Sequence, residues 1–99
     1  MANENFSRIV AGQKTVTTAG TPENLPDVSI PTGYPVTIKA LDSNTGAVYL
    51  AEKSADAATA ATRFTLQAGQ AITLRIINLN VCWLDSAVNG EGIEYIVEQ

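Results

Sequence analysis

The chain has 99 residues, of which 45% are hydrophobic and 16% charged, a balance that favours one folded domain over a disordered chain. Ten acidic residues outnumber six basic ones and give a net charge of −4, so we expect no nucleic-acid partner. Histidine is absent and cysteine occurs once, which removes the usual general base, the commonest metal ligand and any internal disulfide. We therefore predict a protein that is not an enzyme and that uses no cofactor or metal.

The first twelve residues mix polar side chains with isolated apolar ones and follow neither a helical nor a strand period. They predict an N-terminal arm over residues 1–12, ahead of a single domain over residues 13–99. The start of the chain has no basic region followed by an apolar one, and no run approaches the ~20 apolar residues of a spanning helix. We expect synthesis in the cytoplasm and no membrane partner.

From Gln13 onwards, β-forming segments alternate with turn residues at intervals of about ten, which is typical of an all-β sandwich or barrel. Two prolines, Pro26 and Pro31, indicate that the second segment lies at a sheet edge. The predicted fold is all-β: a small antiparallel β-sandwich, jelly-roll-like, with an extended N-terminal arm. Its eight short strands are predicted at residues 14–18, 25–30, 36–40, 48–50, 63–67, 72–76, 81–86 and 93–97.

Alternating apolar and polar residues predict that the last six strands form three hairpins, the first with Gly46 in a left-handed conformation. In the second hairpin, the alternation directs Phe64 and Leu66 towards the core, together with the apolar residues of the following strand. Between the first two hairpins, residues 55–62 are rich in alanine but too short for an isolated helix. This stretch predicts a loop or one helical turn.

The chain has few side chains that could act in catalysis or bind a ligand through charge. Asp85, Glu91 and Glu94 form the densest group of carboxylates, but on alternating strands such residues usually face solvent, and a glycoside-hydrolysing pair is disfavoured. Asp85 ends a strand beside a glycine-rich turn, where a carboxylate can accept backbone N–H bonds. Cys82 lies in an apolar run and is interpreted as a small buried hydrophobe.

Two aromatic residues are candidate interface anchors. If Cys82 points inward, alternation turns Trp83 outward, and Tyr49 lies in the same situation between two apolar neighbours. Tryptophan and tyrosine dominate binding hot spots, so both could contact a partner. Ordinary packing at the rim of a sheet is an equally good explanation.

Four motifs follow one another along the chain: Val-Thr-Thr-Ala-Gly-Thr, Thr-Ile-Lys-Ala, Asn-Thr-Gly-Ala-Val-Tyr and Asn-Gly-Glu-Gly, at residues 16–21, 37–40, 44–49 and 89–92. As an ordered set, they resemble small virion structural proteins of tailed bacteriophages. The resemblance covers residues 13 to 97 and implies a capsid decoration, or cement, protein. Such a protein is expected on the virion surface after synthesis in the host cytoplasm. Its expected partners are the major capsid protein and further copies of itself, as a trimer or dimer.

Docking is expected first through the arm, with Phe6, Ile9 and Val10, and second through Tyr49 and Trp83. The alternative function is a fibre- or tail-associated module that binds host-surface carbohydrate with outward aromatic rings and loops rich in Asn and Asp. A small hydrolase is disfavoured by the missing histidine.

Overall fold

The structure, a computed structural model, describes residues 8–99, which form eight strands, one turn of α-helix, α1, and one turn of 3₁₀ helix at Leu79–Val81. Glycine, proline and asparagine are common in most of the connectors, as expected for residues that end a β-ladder, whereas residues 52–63 contain none of them and include α1. The elements in chain order are β1 (Ile9–Thr15), β2 (Glu23–Asn24), β3 (Val36–Ala40), β4 (Val48–Ala51), α1 (Ser54–Ala57), β5 (Phe64–Leu66), β6 (Ala71–Leu74), β7 (Trp83–Ser86) and β8 (Gly92–Glu98).

The strands form two antiparallel sheets of four strands each. Sheet 1 has the order β1-β8-β3-β6, and sheet 2 has the order β2-β7-β4-β5. This is a jelly-roll arrangement, in which eight strands fold into two packed antiparallel sheets. The predicted all-β sandwich of eight short strands is confirmed.

The core lies between the two sheets and is built by strict alternation along the strands. Val36, Ile38 and Ala40 of β3 are fully buried, while the residues between them are half-buried on the opposite face. Removing an aliphatic side chain of this size from water stabilises the fold by about 1.5–3 kcal/mol. The other buried apolar residues that form this cluster are Val16, Leu25, Ile30, Val48, Leu50, Leu66, Leu79, Cys82, Leu84, Ile93 and Val97.

The three predicted hairpins are wrong, because in each case the two strands lie in different sheets. Strand β3 pairs with β6 and β8, whereas β4 pairs with β5 and β7. Strands β5 and β6, and likewise β7 and β8, are also divided between the sheets. Each connector therefore arches over an end of the sandwich instead of closing a two-stranded ladder.

The predicted arm boundary at Gly12 also differs from the structure, because residues 9–12 form the first half of β1. All seven residues of β1 pair with β8, from Ile9 opposite Glu98 to Thr15 opposite Gly92. Val10 packs against the core, and a Cβ at Gly12 would lie 2.6 Å from the Tyr95 hydroxyl oxygen. These contacts fix the segment in sheet 1. The remainder of the predicted arm, residues 1–7, lies outside the described residues.

A salt bridge joins the two sheets on the side of the sandwich formed by β1 and β2. Lys14 Nζ of β1 lies 2.7 Å from Glu23 Oε1 of β2, and the Thr17 N–H donates to Glu23 Oε2. The bond from Lys14 and the backbone bond from Thr17 lower the pKa of the Glu23 carboxyl. On this side, therefore, the sandwich is closed by polar contacts above its core.

Residues 54–57 form the single turn α1, in agreement with the prediction of a loop or one helical turn. No helix within residues 8–99 is long and apolar enough to cross a membrane. Phe64, predicted to face the core, is 55% exposed. It lies opposite buried Leu50 and so points to the inner side, but β5 is the edge strand of sheet 2, and residues 8–99 leave more than half of the ring uncovered.

Gly92 allows the closest approach between backbones that the described glycines show. A Cβ at this position would clash with the Lys14 carbonyl oxygen and would lie 2.7 Å from Thr15 Cα. Gly90, two residues earlier, has φ +79° but open space around the missing side chain. The two glycines are therefore required for different reasons, the first by packing and the second by backbone conformation.

We expect Gly92→Ala to lower the free energy of unfolding by at least about 3 kcal/mol, because backbone atoms cannot move aside as a side chain can. The matched variant Gly90→Ala should lose only about 1–2 kcal/mol, the strain of a left-handed alanine. Urea unfolding followed by circular dichroism measures both. Equal losses in the two variants would contradict the assignment of a steric role to Gly92.

Candidate interaction surfaces

The predicted aromatic anchors share the outer face of sheet 2 but are partly covered. Trp83 lies opposite Ala51, and Tyr49 lies opposite Asp85, so all four side chains point away from the core. Both aromatic residues are half-buried. The Arg63 guanidinium lies 3.4 Å from the centroid of the Tyr49 ring, a cation–π contact that occupies one face of that ring.

Helix α1 explains part of this cover. It packs against β4 and β7, and its Ala57 is fully buried although it lies outside the core cluster. Arg63 also reaches the Ala57 carbonyl oxygen, at 3.5 Å. The outward direction predicted for Trp83 and Tyr49 is therefore right, whereas their role as interface anchors stays a prediction.

The other predicted docking residues are Phe6, Ile9 and Val10. The two that the structure describes, Ile9 and Val10, lie on opposite faces of sheet 1. The Ile9 side chain is 63% exposed on the outer face of sheet 1, whereas Val10 packs against the core. Phe6 lies outside the described residues. Ile96, 43% exposed, lies close to Ile9 and lines with it a shallow hollow of about 250 Å³. We call Ile9, Ile96 and the neighbouring Pro35 and Thr37 the Ile9 patch.

A second apolar surface lies on the opposite side of the sandwich, between the edge strands β5 and β6. We call it the β5–β6 groove. It has a volume of about 420 Å³ and continues into a hollow of about 360 Å³ beside Ile76 and Ile77. Cys82 lines both, and burial raises the pKa of its thiol. The residues that line the groove are Leu50, Ala51, Phe64, Ile72, Thr73, Leu74 and Cys82.

Two of the three carboxylates singled out in the sequence are held by separate local partners. Asp85, buried at 2% exposure, accepts N–H bonds from Gly20 and Ser86, in agreement with its predicted role as an acceptor for backbone groups. Glu94 lies 3.5 Å from Lys39 Nζ. Within residues 8–99, no group of three His, Cys, Asp or Glu side chains could hold a metal ion.

The third carboxylate, Glu91, holds the connector between β3 and β4. Its Oε2 accepts bonds from the backbone N–H and the hydroxyl of Thr45, and its Oε1 accepts from the Gly46 N–H. These bonds lower the pKa of the Glu91 carboxyl, the backbone bonds to Thr45 and Gly46 most. Gly46 does not have the predicted left-handed conformation. A Cβ at Gly46 would lie 3.0 Å from a Val88 methyl, a tight contact that Val88 would have to relieve.

The exposed residues Phe64 and Ile77 were not predicted as surface features. The alternation of apolar and polar residues placed Phe64 in the core, because such a pattern indicates which face of the sheet a side chain lies on but not whether other residues cover it there. Ile76 and Ile77 are adjacent apolar residues, so one of them must face away from the core in any extended chain. Ile77 is 77% exposed. The pair of adjacent isoleucines is therefore the signal in the sequence that could have indicated an exposed apolar residue here.

Comparison with known proteins returns no matching family model, no matching curated protein and no matching solved structure.

We expect the Glu91 contacts to stabilise the fold only while the carboxyl is ionised. Because the folded-state pKa is lowered from 4.5, the contribution is complete above that value and is lost as pH falls through the lower folded pKa. Wild type should therefore be more stable than Glu91→Gln at about pH 6, and the difference should shrink towards about pH 2. Urea unfolding at both pH values measures it.

The matched control is Glu98→Gln, which alters an exposed carboxyl at the far end of β8, the strand that follows Glu91. Its stability relative to wild type should change less with pH than that of Glu91→Gln. A difference between wild type and Glu91→Gln that grows as the pH falls would contradict the role given to the carboxylate.

Proposed function

We propose that this protein is a capsid decoration protein of a tailed bacteriophage, which binds the outer surface of the head and reinforces contacts between shell subunits. The observation that carries the proposal is the ordered set of motifs over residues 16–92 that resembles small virion structural proteins. A compact jelly roll with apolar patches on its surface is compatible with this role, because such a module acts through its exterior. Many copies on a symmetric shell would add avidity to a modest affinity per copy.

The Ile9 patch is the best-supported docking surface for the shell. It combines two exposed isoleucines on the outer face of sheet 1, and exposed apolar side chains of this kind contribute most when a partner removes them from water. It also lies where β1 begins, next to the residues that precede it in the chain, including Phe6. A docking segment within residues 1–7 would therefore be joined to the patch through the chain itself.

The alternative, a module that binds host-surface carbohydrate, depends on open aromatic faces, since sugars stack on rings. Arg63 occupies one face of Tyr49, and Trp83 is half-buried, which leaves little open aromatic surface on sheet 2. The geometry therefore favours the decoration protein over the carbohydrate-binding module.

The first test is a copy count in purified virions of the phage that encodes the protein. A decoration protein should be present at a fixed, high ratio to the major capsid protein, and the purified protein should bind to heads that lack it. Presence in a few copies confined to fibres or the tail, with no binding to such heads, would refute the proposal.

Deletion of residues 2–7 and the double variant Ile9→Ser/Ile96→Ser should each weaken binding to heads by at least about tenfold, because they remove apolar contact area. The deletion stops before Ile9, so that β1 stays complete. Val88→Ser, which alters another exposed apolar residue, is the matched control and should bind as wild type does. Unchanged binding by both test proteins would place the docking surface elsewhere.

A further inference from the structure

The β5–β6 groove is the side on which the sandwich is left open. On the opposite side, Lys14 and Glu23 join the edge strands of the two sheets at 2.7 Å. No hydrogen bond or salt bridge among residues 8–99 joins β5 to β6 across the groove, where apolar side chains from both sheets line the gap. The Phe64 ring is 55% exposed at the rim of the groove, and burying such a ring against a partner would stabilise a complex.

Among residues 8–99, no strand pairs with the outer edge of β6, so this side of the groove also presents backbone groups that could bond to an added strand. The Ala40 N–H donates to the Gln70 carbonyl, which fixes the phase of the ladder between β3 and β6. Because hydrogen-bonding residues alternate along an antiparallel strand, Ile72 and Leu74 point their backbone groups at β3. Ala71, Thr73 and Arg75 therefore point theirs away from the sheet. An added antiparallel strand could bond to these three residues.

We propose that the occupant of this edge is a second copy of the chain, and that two molecules pair β6 against β6 around a two-fold axis at Thr73. In this register Thr73 lies opposite Thr73 of the second copy, and Ala71 lies opposite Arg75 of the second copy. Sheet 1 then continues through both molecules as eight strands. The pairing is isologous and closed, the commonest form of a homodimer.

Charge supports this register. Arg75 is exposed and forms no salt bridge with any residue from 8 to 99. At the other end of β6, Lys39 lies opposite Ala71 and has Asp42 and Glu94 within 3.1 and 3.5 Å of its ammonium. One cation with two carboxylates leaves a net negative charge there. The two-fold axis brings Arg75 of each copy to this acidic end of the other, so the complementary contact is made twice.

The same axis closes the groove. Phe64 and the half-buried Ile72 and Leu74 line it close to Thr73, so each molecule would bring its apolar rim against that of the other. Removing these side chains from water supplies the driving force that an isolated edge ladder lacks. Strand β1 is the other edge of sheet 1, but the hollow of about 580 Å³ beside it is of mixed polarity, since Arg8, Asp27, Ser29 and Gln99 line it together with apolar residues. The β6 edge is therefore the better site for a second copy, whether or not the protein decorates a capsid.

Sedimentation equilibrium tests the proposal. Wild type should be in a monomer–dimer equilibrium with a Kd of about 1–100 μM, as expected for a small interface. Phe64→Ser should raise the Kd by at least about thirtyfold and Arg75→Glu by about tenfold. Arg75→Glu combined with Asp42→Arg reverses both charges and should recover most of the affinity. A matched control, Ile9→Ser, removes an exposed apolar residue from the opposite edge and should leave the Kd unchanged.

Cys82 provides a second readout, because it lines the groove and is the one cysteine in the chain. Its reaction with a thiol reagent should slow as the wild-type concentration rises through the Kd. In Phe64→Ser the rate should not depend on protein concentration. A wild type that stays monomeric to about 1 mM would overturn the proposal. So would a dimer that Ile9→Ser disrupts and Phe64→Ser does not, or a trimer as the end state.

Discussion

The fold depends on one close approach, where β8 begins against the end of β1. Gly92 exchanges hydrogen bonds with the Asn44 side chain, at 2.9 and 3.3 Å, and its carbonyl also accepts from the Leu41 N–H. Its α-carbon lies against the backbone of β1, where a Cβ would not fit. Glu91, the preceding residue, binds the connector between β3 and β4 by accepting bonds from the Thr45 and Gly46 N–H groups. The chain is thereby turned from one sheet to the other at a fixed point, which sets the relative position of both sheets.

Much of the fold could be predicted from the sequence, but the pairing of the strands could not. Alternation along β3 identifies which residues are buried, because a strand has a period of two whichever neighbour it pairs with. The same pattern says nothing about the partner. Residues 36–40 and 48–50 suggested a hairpin because they are close in sequence, yet Asn44 and Leu41 bind the connector to Gly92 of a distant strand. The partner is decided by contacts that local patterns do not contain.

The surfaces were predicted less well than the core, and for a similar reason. The sequence gives the direction of Trp83 and Tyr49 but not the cover that α1 and Arg63 place over them. Phe64 has the inner orientation that its alternation predicts, and it is exposed because β5 is the last strand of its sheet. Whether a strand lies at a centre or an edge is a property of the whole topology. The exposure of side chains at the edges of this sandwich therefore could not be predicted from local sequence patterns.

The pairing of β1 with β8 also has a consequence for how the chain acquires its structure. These strands come from opposite ends of the sequence, and β8 is the central neighbour of both β1 and β3. Sheet 2 likewise needs β7, which joins β2 to β4. Neither sheet can be completed on a ribosome until β7 and β8 have emerged. Folding is therefore a late and largely non-local event, of the kind that proceeds slowly because distant segments must find each other first.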